Sequence, residues 1–210
     1  MSFSLKSKIQ NLKSPLILAS ASPRRAEILT SLGIPFRVLP SDVAEDVLPG
    51  ETAEAAASRL ASEKARHVAA REPGAWVLGA DTLVFLDGLI LGKPRDREDA
   101  RSMLRRLAGR EHRVVTALHL LRGGGPGVGH SEVSRVRFAP MDEEEIAWYA
   151  STGEPADKAG AYGVQGLGAR FIEEIHGSFT NVMGLPARAA YRLLRDAPDP
   201  ALASLALSSG

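Results

Sequence analysis

The chain has 210 residues, of which 44% are hydrophobic and 24% charged, and its formal net charge is +1. These ordinary globular values exclude collagen-like, disordered and coiled-coil classes, and the near-zero net charge argues against bulk electrostatic binding to nucleic acid or to an anionic membrane. The sequence has no cysteine, which excludes disulfides, thiolate metal sites, iron–sulfur clusters and cysteine nucleophiles.

The first half of the chain predicts strands that alternate with helices. The apolar runs of strand length are 15–20, 36–39 and 76–80. A helix is expected to begin at Ser22 and Pro23 and to end before a glycine at position 33. An alanine-rich helix is expected over 52–71, because neither glycine nor proline interrupts that run. The Asp-Gly pair at 87–88, between the short apolar runs 84–85 and 89–91, predicts a two-residue hairpin.

The second half predicts further helices and a longer hairpin. The predicted elements are, in order, a helix capped by Asp96 and ended by Gly109, extended runs at 112–121 and 131–138, a helix opened by a capping box of Asp142 and Glu145, a functional loop or short strands at 151–168, a strand at 171–175 and a helix from Pro186 through Leu194. The early alternation and the later hairpins predict an α/β fold with a mixed sheet. We expect one domain over 14–196, an N-terminal extension at 1–13 and a flexible tail at 197–210.

The turn before the first predicted helix is a candidate anion site. Arg24 and Arg25 would lie in the first helical turn, where the helix dipole disfavours each positive charge by about 0.3–1 kcal/mol. A bound phosphate would reverse that effect, because backbone N–H groups, the hydroxyls of Ser20 and Ser22 and two guanidinium groups would converge on it. The alternative interpretation is a pair of solvated surface arginines.

Two acidic positions are candidates for water activation and metal binding. Asp81 directly follows the buried strand 76–80, at the edge where ligands bind in open α/β sheets, although it could equally stabilise the turn. Glu45 lies in the polar loop 40–50 and is suited to Mg²⁺, which takes one or two carboxylates together with phosphate oxygens. The simpler interpretation of Glu45 is a solvated acidic loop.

Three lysines are candidate phosphate ligands. Lys64 lies on the alanine-rich helix, Lys93 follows the predicted hairpin, and Lys158 lies in the loop 151–168. Each of them, taken alone, is more often a solvated charge. The glycine-containing segments 88–94 and 123–129 match neither a P-loop nor the dinucleotide-binding fingerprint.

Six segments, in order, resemble the Maf family of nucleoside triphosphate pyrophosphatases. They are LASASPRRAEIL at 18–29, EKA at 63–65, GADT at 79–82, LGKP at 91–94, GEPADKAGAYGVQG at 153–166 and NVMGLP at 181–186. The resemblance runs from about Leu16 to Leu194. It implies a Maf/ITPase-like fold, in which a twisted mixed β-sheet is flanked by helices in two lobes around a nucleotide-binding cleft, often in a homodimer.

The resemblance also implies an activity. Family members hydrolyse a nucleoside triphosphate to the monophosphate and pyrophosphate with a divalent cation, Mg²⁺ or Mn²⁺, which clears unwanted nucleotides from the cellular pool. The stretch at 157–166 is similar to the branch that prefers dTTP and UTP, with modified pyrimidine nucleotides as further candidate substrates. The alternative is a nucleotide-binding regulator of cell division and septum formation with little turnover.

Individual roles are implied by the same resemblance. Asp81 would be the proton acceptor, Arg24, Thr82 and Gln165 would set substrate specificity, and Glu45 and Asp81 would bind the metal. Gln165 offers one donor and one acceptor, which suits the O4 and N3–H edge of thymine or uracil. Together with the candidates above, the phosphate-binding set is Ser20, Ser22, Arg24, Arg25, Lys64, Lys93 and Lys158. Ala44 departs from relatives that often carry a second acid there, which leaves fewer carboxylates for the metal.

The small-molecule partner follows from the resemblance, and the absence of other partners and the location follow from composition and chain organisation. The expected partner is a small nucleoside triphosphate, with no nucleic acid polymer and no membrane. No apolar run approaches the roughly 20 residues of a membrane span, and no secretory signal is visible at 1–13. The sequence therefore predicts a cytoplasmic location.

Overall fold

The computed structural model describes residues 16–207, so the N-terminal extension expected at 1–13 lies outside the described residues. The strands are β1 (Leu16–Leu18), β2 (Arg37–Val38), β3 (Trp76–Leu86), β4 (Leu89–Leu91), β5 (Glu111–Arg122), β6 (Val128–Phe138) and β7 (Ile172–His176). The helices are α1 (Pro23–Ser31), α2 (Ala53–Arg71), α3 (Arg97–Leu107), α4 (Glu143–Ser151), α5 (Phe179–Met183), α6 (Ala187–Arg195) and α7 (Pro200–Leu205).

A single mixed sheet connects these elements, as the sequence predicts. Its order is β2-β1-β3-β5-β6-β7, and β4 pairs with the far end of β3. β1 is parallel to both β2 and β3, whereas the other pairs are antiparallel. The α/β fold class with helices flanking a mixed sheet is therefore confirmed.

Two hydrophobic cores lie at opposite ends of the long strands β3 and β5. The first packs Leu78 and Leu118 against α1 and α6. The second packs Val84 and Val114 against α3 and α4. The middle of the same strands is polar: Thr82 and Thr116, on neighbouring strands, share a hydrogen bond of 3.0 Å there. The two hydrophobic cores form the two lobes on either side of this polar middle.

The edge of β3 is open between these lobes. β1 pairs with β3 only at residues 76–78, and β4 pairs with it only at residues 84–86. Among residues 16–207, no strand pairs with the intervening residues 79–83 on this side, and they lie at the carboxyl end of β1, which is where open α/β sheets place their binding sites. Side chains from both faces of the sheet, those of Asp81 and Thr82, meet at this gap.

Helix α2 packs unusually close to β3. A side chain at Gly79 would overlap the carbonyl oxygen of Ala61 and lie 2.9 Å from Cβ of Ala65. The absence of a side chain at this position lets the helix backbone approach the sheet. Lys64, adjacent to Ala65 on the helix, is thereby brought to Asp81, two residues beyond Gly79 on the same face of the strand.

Several local predictions are confirmed. The helix expected over 52–71 is α2, Asp96 caps α3, and Asp142 and Glu145 form the predicted capping box of α4. The predicted end of the strand at residue 80 is wrong, because β3 continues to Leu86 and β5 pairs with it from Trp76 to Phe85. The loop 151–168 forms short 3₁₀ turns rather than strands, and α5 was not predicted.

The chain after 197 differs from the predicted flexible tail. Asp199 caps α7 and also accepts hydrogen bonds from the indole of Trp76 and the guanidinium of Arg122, both at 3.0 Å. Leu202 is fully buried in the first core. These contacts hold residues 200–205 against the sheet, so the predicted tail is corrected there to a docked helix.

No helix within residues 16–207 combines the length and the apolar character needed to cross a membrane.

Candidate active site

A cleft of about 690 Å³ opens over the free edge of β3. It is lined by the turn after β1, the acidic loop 40–50, α2, the residues that follow the β3–β4 hairpin, the loop 151–168 and α5. The sequence-predicted site residues that line it are Ser20, Ser22, Arg24, Arg25, Glu45, Lys64, Asp81, Thr82, Lys93 and Lys158. These residues span nearly 140 positions of the sequence, yet they converge on one cavity. Gln165 is the predicted site residue that does not line it.

A chain of ion pairs crosses the floor of the cleft. The Lys64 ammonium group donates to Oδ1 of Asp81 and to Oε1 of Glu45, each at 2.6 Å. Lys93 donates to the other oxygen of Glu45, also at 2.6 Å. Asp81 and Lys64 are both buried, with only 4% of each residue exposed. A buried pair of this kind carries a desolvation cost that is common at functional sites, so it marks this cleft as the candidate active site.

The two carboxylates of this chain differ in acidity. Burial raises the pKa of Asp81 above its usual value, and the charges of Lys64 and Arg25 only partly oppose that effect. Burial also opposes ionisation of Glu45, but hydrogen bonds from Lys64 and Lys93 outweigh it and lower the pKa of Glu45 to about 2. Glu45 therefore stays ionised at physiological pH, whereas Asp81 is the better proton acceptor.

The carboxylates fit a divalent cation. Within the described residues, Oδ2 of Asp81 is buried without a hydrogen-bond partner. Glu45 lies on the other side of the Lys64 ammonium group, which contacts both acids. Mg²⁺ usually takes one or two carboxylates and completes its coordination with water and phosphate oxygens. No cluster of three or more histidine, cysteine, aspartate or glutamate side chains that could hold a metal occurs over residues 16–207, so a ligand would have to complete the set.

Arg25 lines the cleft, but contacts within the protein engage its guanidinium. It is buried and makes four hydrogen bonds, to the carbonyls of Gly184 and Ala80 and the hydroxyls of Ser20 and Thr82, at 2.8–3.1 Å. Its contact with Ala80 satisfies a carbonyl at the open edge of β3. Arg25 therefore joins the turn after β1 to β3 and α5, and its guanidinium is used by the protein rather than left free for a ligand.

Arg24 and Lys158 face each other through a shared acid. Asp157 accepts a hydrogen bond from Arg24 at 3.2 Å and one from Lys158 at 2.7 Å. Ser22 occupies the N-cap position of α1, as predicted, but its side chain makes no capping bond. No capping bond therefore engages the Ser22 hydroxyl, which lines the cleft together with Arg24 at the N-terminus of α1, the end of a helix that favours an anion. The sequence analysis did not single out Asp157, whose charge only becomes relevant once the fold places it here.

Gln165 lies beside the cleft rather than in its lining. Its side-chain amide donates to Glu27 of α1 at 3.3 Å, and the preceding residue, Val164, lines the cleft. The Gln165 side chain is half-buried. A rotation about its side-chain bonds, with loss of one long hydrogen bond to an exposed carboxylate, is needed for Gln165 to contact a ligand.

Positive and negative side chains nearly balance along the cleft. The cations are Arg24, Arg25, Lys64, Lys93 and Lys158, and the carboxylates are Glu45, Asp46, Asp81 and Asp157. A small polyanion bound here would have to displace some of these carboxylates from their partners, or to arrive with a cation of its own. The geometry is therefore best suited to a phosphate ester or anhydride accompanied by a divalent metal.

Comparisons with known proteins agree with this chemistry. A family model described as Maf-like protein matches residues 15–197. The dTTP/UTP pyrophosphatase of Symbiobacterium thermophilum is 51% identical over 179 residues, which cover 85% of this chain and 92% of that protein. The dTTP/UTP pyrophosphatase of Aquifex aeolicus is 49% identical over 181 residues, covering 86% and 94%. Among solved structures, a Staphylococcus aureus Ham1 protein matches at 15% identity and a TM-score of 0.46, over 75% of this chain and 79% of that one.

Proposed function

This chain belongs to the Maf-like protein family, and on that premise we propose that it hydrolyses dTTP and UTP to the monophosphate and pyrophosphate. The observation that carries the proposal is the buried Asp81–Lys64 pair at the open edge of β3, facing the anion site at the start of α1. Relatives at about half identity bear the name of this activity, so an enzyme is favoured over a regulator with little turnover.

The triphosphate would be held mainly by side chains that are accessible in the cleft. Arg24, Lys93 and Lys158 supply charge, while Ser22 and the first N–H groups of α1 supply hydrogen bonds. Binding would draw Arg24 and Lys158 away from Asp157, which now neutralises both. Arg25 and Ser20 would act indirectly, because they hold the turn after β1 from which Ser22, Arg24 and the first N–H groups of α1 reach the triphosphate.

Asp81 would accept the proton of the attacking water. Lys64 holds its Oδ1, so Oδ2 is the atom free to take the proton. The water oxygen forms a bond to the α-phosphorus, the bond from that phosphorus to the bridging oxygen breaks, and pyrophosphate leaves with the electron pair. Lys64 and Lys93 would stabilise the negative charge that develops on the leaving group.

Glu45 and Asp81 would hold a divalent cation, Mg²⁺ or Mn²⁺, together with phosphate oxygens. Such a cation supplies charge neutralisation and lowers the pKa of a bound water. The need for it follows from the charges of the cleft, since a triphosphate brings about four negative charges to a nearly balanced set of side chains.

Base selection would involve Thr82, Arg24 and Gln165. The Gln165 amide has one donor and one acceptor, which match O4 and N3–H of thymine or uracil and mismatch the reversed pattern of cytosine. A site that hydrogen-bonds this edge rejects the wrong base strongly, because its own polar groups would be left unpaired.

The remaining expectations are also proposals. The single domain is proposed to span 14–196 with the helix α7 docked on it, and the protein is proposed to be a cytoplasmic homodimer. Sedimentation of the purified protein and of fragments 14–196 and 14–207 would test the domain bounds and the dimer together.

Purified protein is expected to release pyrophosphate from dTTP and UTP in the presence of Mg²⁺ or Mn²⁺, with little release from CTP or GTP. Chelation of the metal with EDTA should abolish release, and readdition should restore it. The measurement is pyrophosphate formed per enzyme across the nucleotide panel. Absence of release from every nucleotide, or equal release from all four, would contradict the proposed substrate class.

The activity is expected to fall on the acid side as Asp81 becomes protonated. Because burial raises the pKa of Asp81, the decline of kcat/KM should occur at a higher pH than an exposed aspartate would give. Glu45 cannot produce this limb, since its pKa is about 2. The check is a pH profile of kcat/KM with the metal added as its complex with the nucleotide, so that the free enzyme carries none, and a flat profile down to the pKa of a free aspartate would exclude Asp81 as the acceptor.

A further inference from the structure

Glu154 occupies the centre of a hydrogen-bonded clamp beside the cleft. Its carboxylate accepts from the hydroxyl of Tyr149 at 2.7 Å and from the backbone N–H groups of Leu167 and Gly168 at 2.9 and 3.0 Å. The same Tyr149 hydroxyl accepts from the backbone N–H of Gly163 at 3.0 Å. One glutamate and one tyrosine therefore fix the backbone on both sides of residues 164–166.

The space inside the clamp is filled completely. A side chain at Gly166 would approach the Glu154 carboxylate to 2.6 Å, and one at Gly168 would approach the Tyr149 hydroxyl to 2.5 Å. Tyr149 is fully buried and comes from α4, which a capping box stabilises at its start. The clamp thus ties a segment without regular strands or α-helix to a rigid helix.

The clamped segment contains the groups that the proposed function directs at a nucleotide base. Val164 lines the cleft, and Gln165 lies beside it with its side-chain amide donating a 3.3 Å hydrogen bond to Glu27. We propose that Glu154 and Tyr149 are positioning residues for base selection. They fix the backbone of 163–168 so that the Gln165 side chain, once rotated into the cleft, is correctly placed to contact the base. This inference rests on the proposed function, because it concerns how that site distinguishes pyrimidine bases.

The same glutamate is coupled to the phosphate side of the cleft. Its backbone carbonyl accepts a 2.6 Å hydrogen bond from Lys158, whose ammonium group also contacts Asp157. The hydrogen bonds that join Glu154 to the segment 163–168, in contrast, are accepted by its carboxylate. A substitution of the side chain therefore removes the base-side contacts and leaves the lysine contact in place, which separates the two effects experimentally.

The test compares Glu154→Gln and Tyr149→Phe with wild type in two measurements. Glu154→Gln places an NH₂ group against one of the two N–H donors, and Tyr149→Phe removes the acceptor of Gly163. Amide hydrogen exchange at Gly163, Leu167 and Gly168 is expected to accelerate at least tenfold. The preference for dTTP over dCTP, measured as the ratio of kcat/KM values and of binding affinities, is expected to fall roughly tenfold to a hundredfold, through KM more than through kcat.

Glu173→Gln, which alters an exposed carboxylate of β7, serves as the matched control and should behave as wild type. Unchanged exchange at the three amides would overturn the clamp itself. Faster exchange with an unchanged dTTP to dCTP ratio would overturn its role in base selection. If wild type itself hydrolyses no nucleotide, the proposed function fails, and the exchange and affinity measurements still decide the clamp.

Discussion

Asp81→Asn is expected to lower kcat for dTTP by about 10²–10⁴-fold, the usual contribution of a positioned general base, while dTTP binding remains measurable. Asparagine keeps an oxygen for the Lys64 ammonium group, which now lies 2.6 Å from Oδ1. It cannot accept a proton from water, and it offers a weaker oxygen to a divalent cation. The loss should therefore fall on kcat, since Arg24, Lys93 and Lys158 still bind the triphosphate.

The experiment separates chemistry from folding and from binding. Thermal unfolding establishes that the variant is folded, and equilibrium binding of dTTP in the absence of turnover establishes that the cleft is intact. Asp42→Asn, an exposed acid in the same loop as Glu45, is the matched control and should retain wild-type kcat. If Asp81→Asn retained kcat within threefold of wild type, another group would have to accept the proton.

Local interactions explain which parts of the fold could be predicted from sequence. The capping box of Asp142 and Glu145 spans four residues, so the residue types alone determine it. The continuity of β3 depends on its pairing with β5, whose partner residues are 28 to 46 positions away in the chain, and the polar pair at 81–82 obscures this continuity in the sequence. The docked helix at 200–205 likewise depends on Trp76 and Arg122, which are remote in the chain.

The candidate site likewise contains features that residue types predict and features that depend on the fold. Arg24 and Arg25 are adjacent and chemically identical, so the sequence predicted the same role for both. The fold distinguishes them, because Arg25 points into the protein and makes four hydrogen bonds there, whereas Arg24 contacts the exposed Asp157 in the cleft. Burial, rather than residue type, decides which of them is available to a ligand.

Gly79 shows how strongly the site depends on the close packing of α2 against β3. The ion pair of Lys64 and Asp81 requires the helix backbone to lie against the strand at this point. Ala61 and Ala65 form the facing surface of the helix, and the gap between their backbone and Gly79 has no room for a methyl group. Positive φ plays no part, so the requirement is one of space alone.

Gly79→Ala is expected to lower the free energy of unfolding by about 3 kcal/mol, the upper end for overpacking, because the obstructing atom is a backbone oxygen that cannot rotate away. The helix must move outward, and a displacement near 1 Å can cost about a hundredfold in kcat/KM. The matched control is Gly74→Ala, at a position just before β3 where an added methyl group meets no atom within 4 Å. Denaturant unfolding and dTTP hydrolysis measure the two effects. Wild-type stability with wild-type kcat/KM in Gly79→Ala would mean that the closeness of α2 is unnecessary, and the Lys64–Asp81 pair would then need another explanation than helix position.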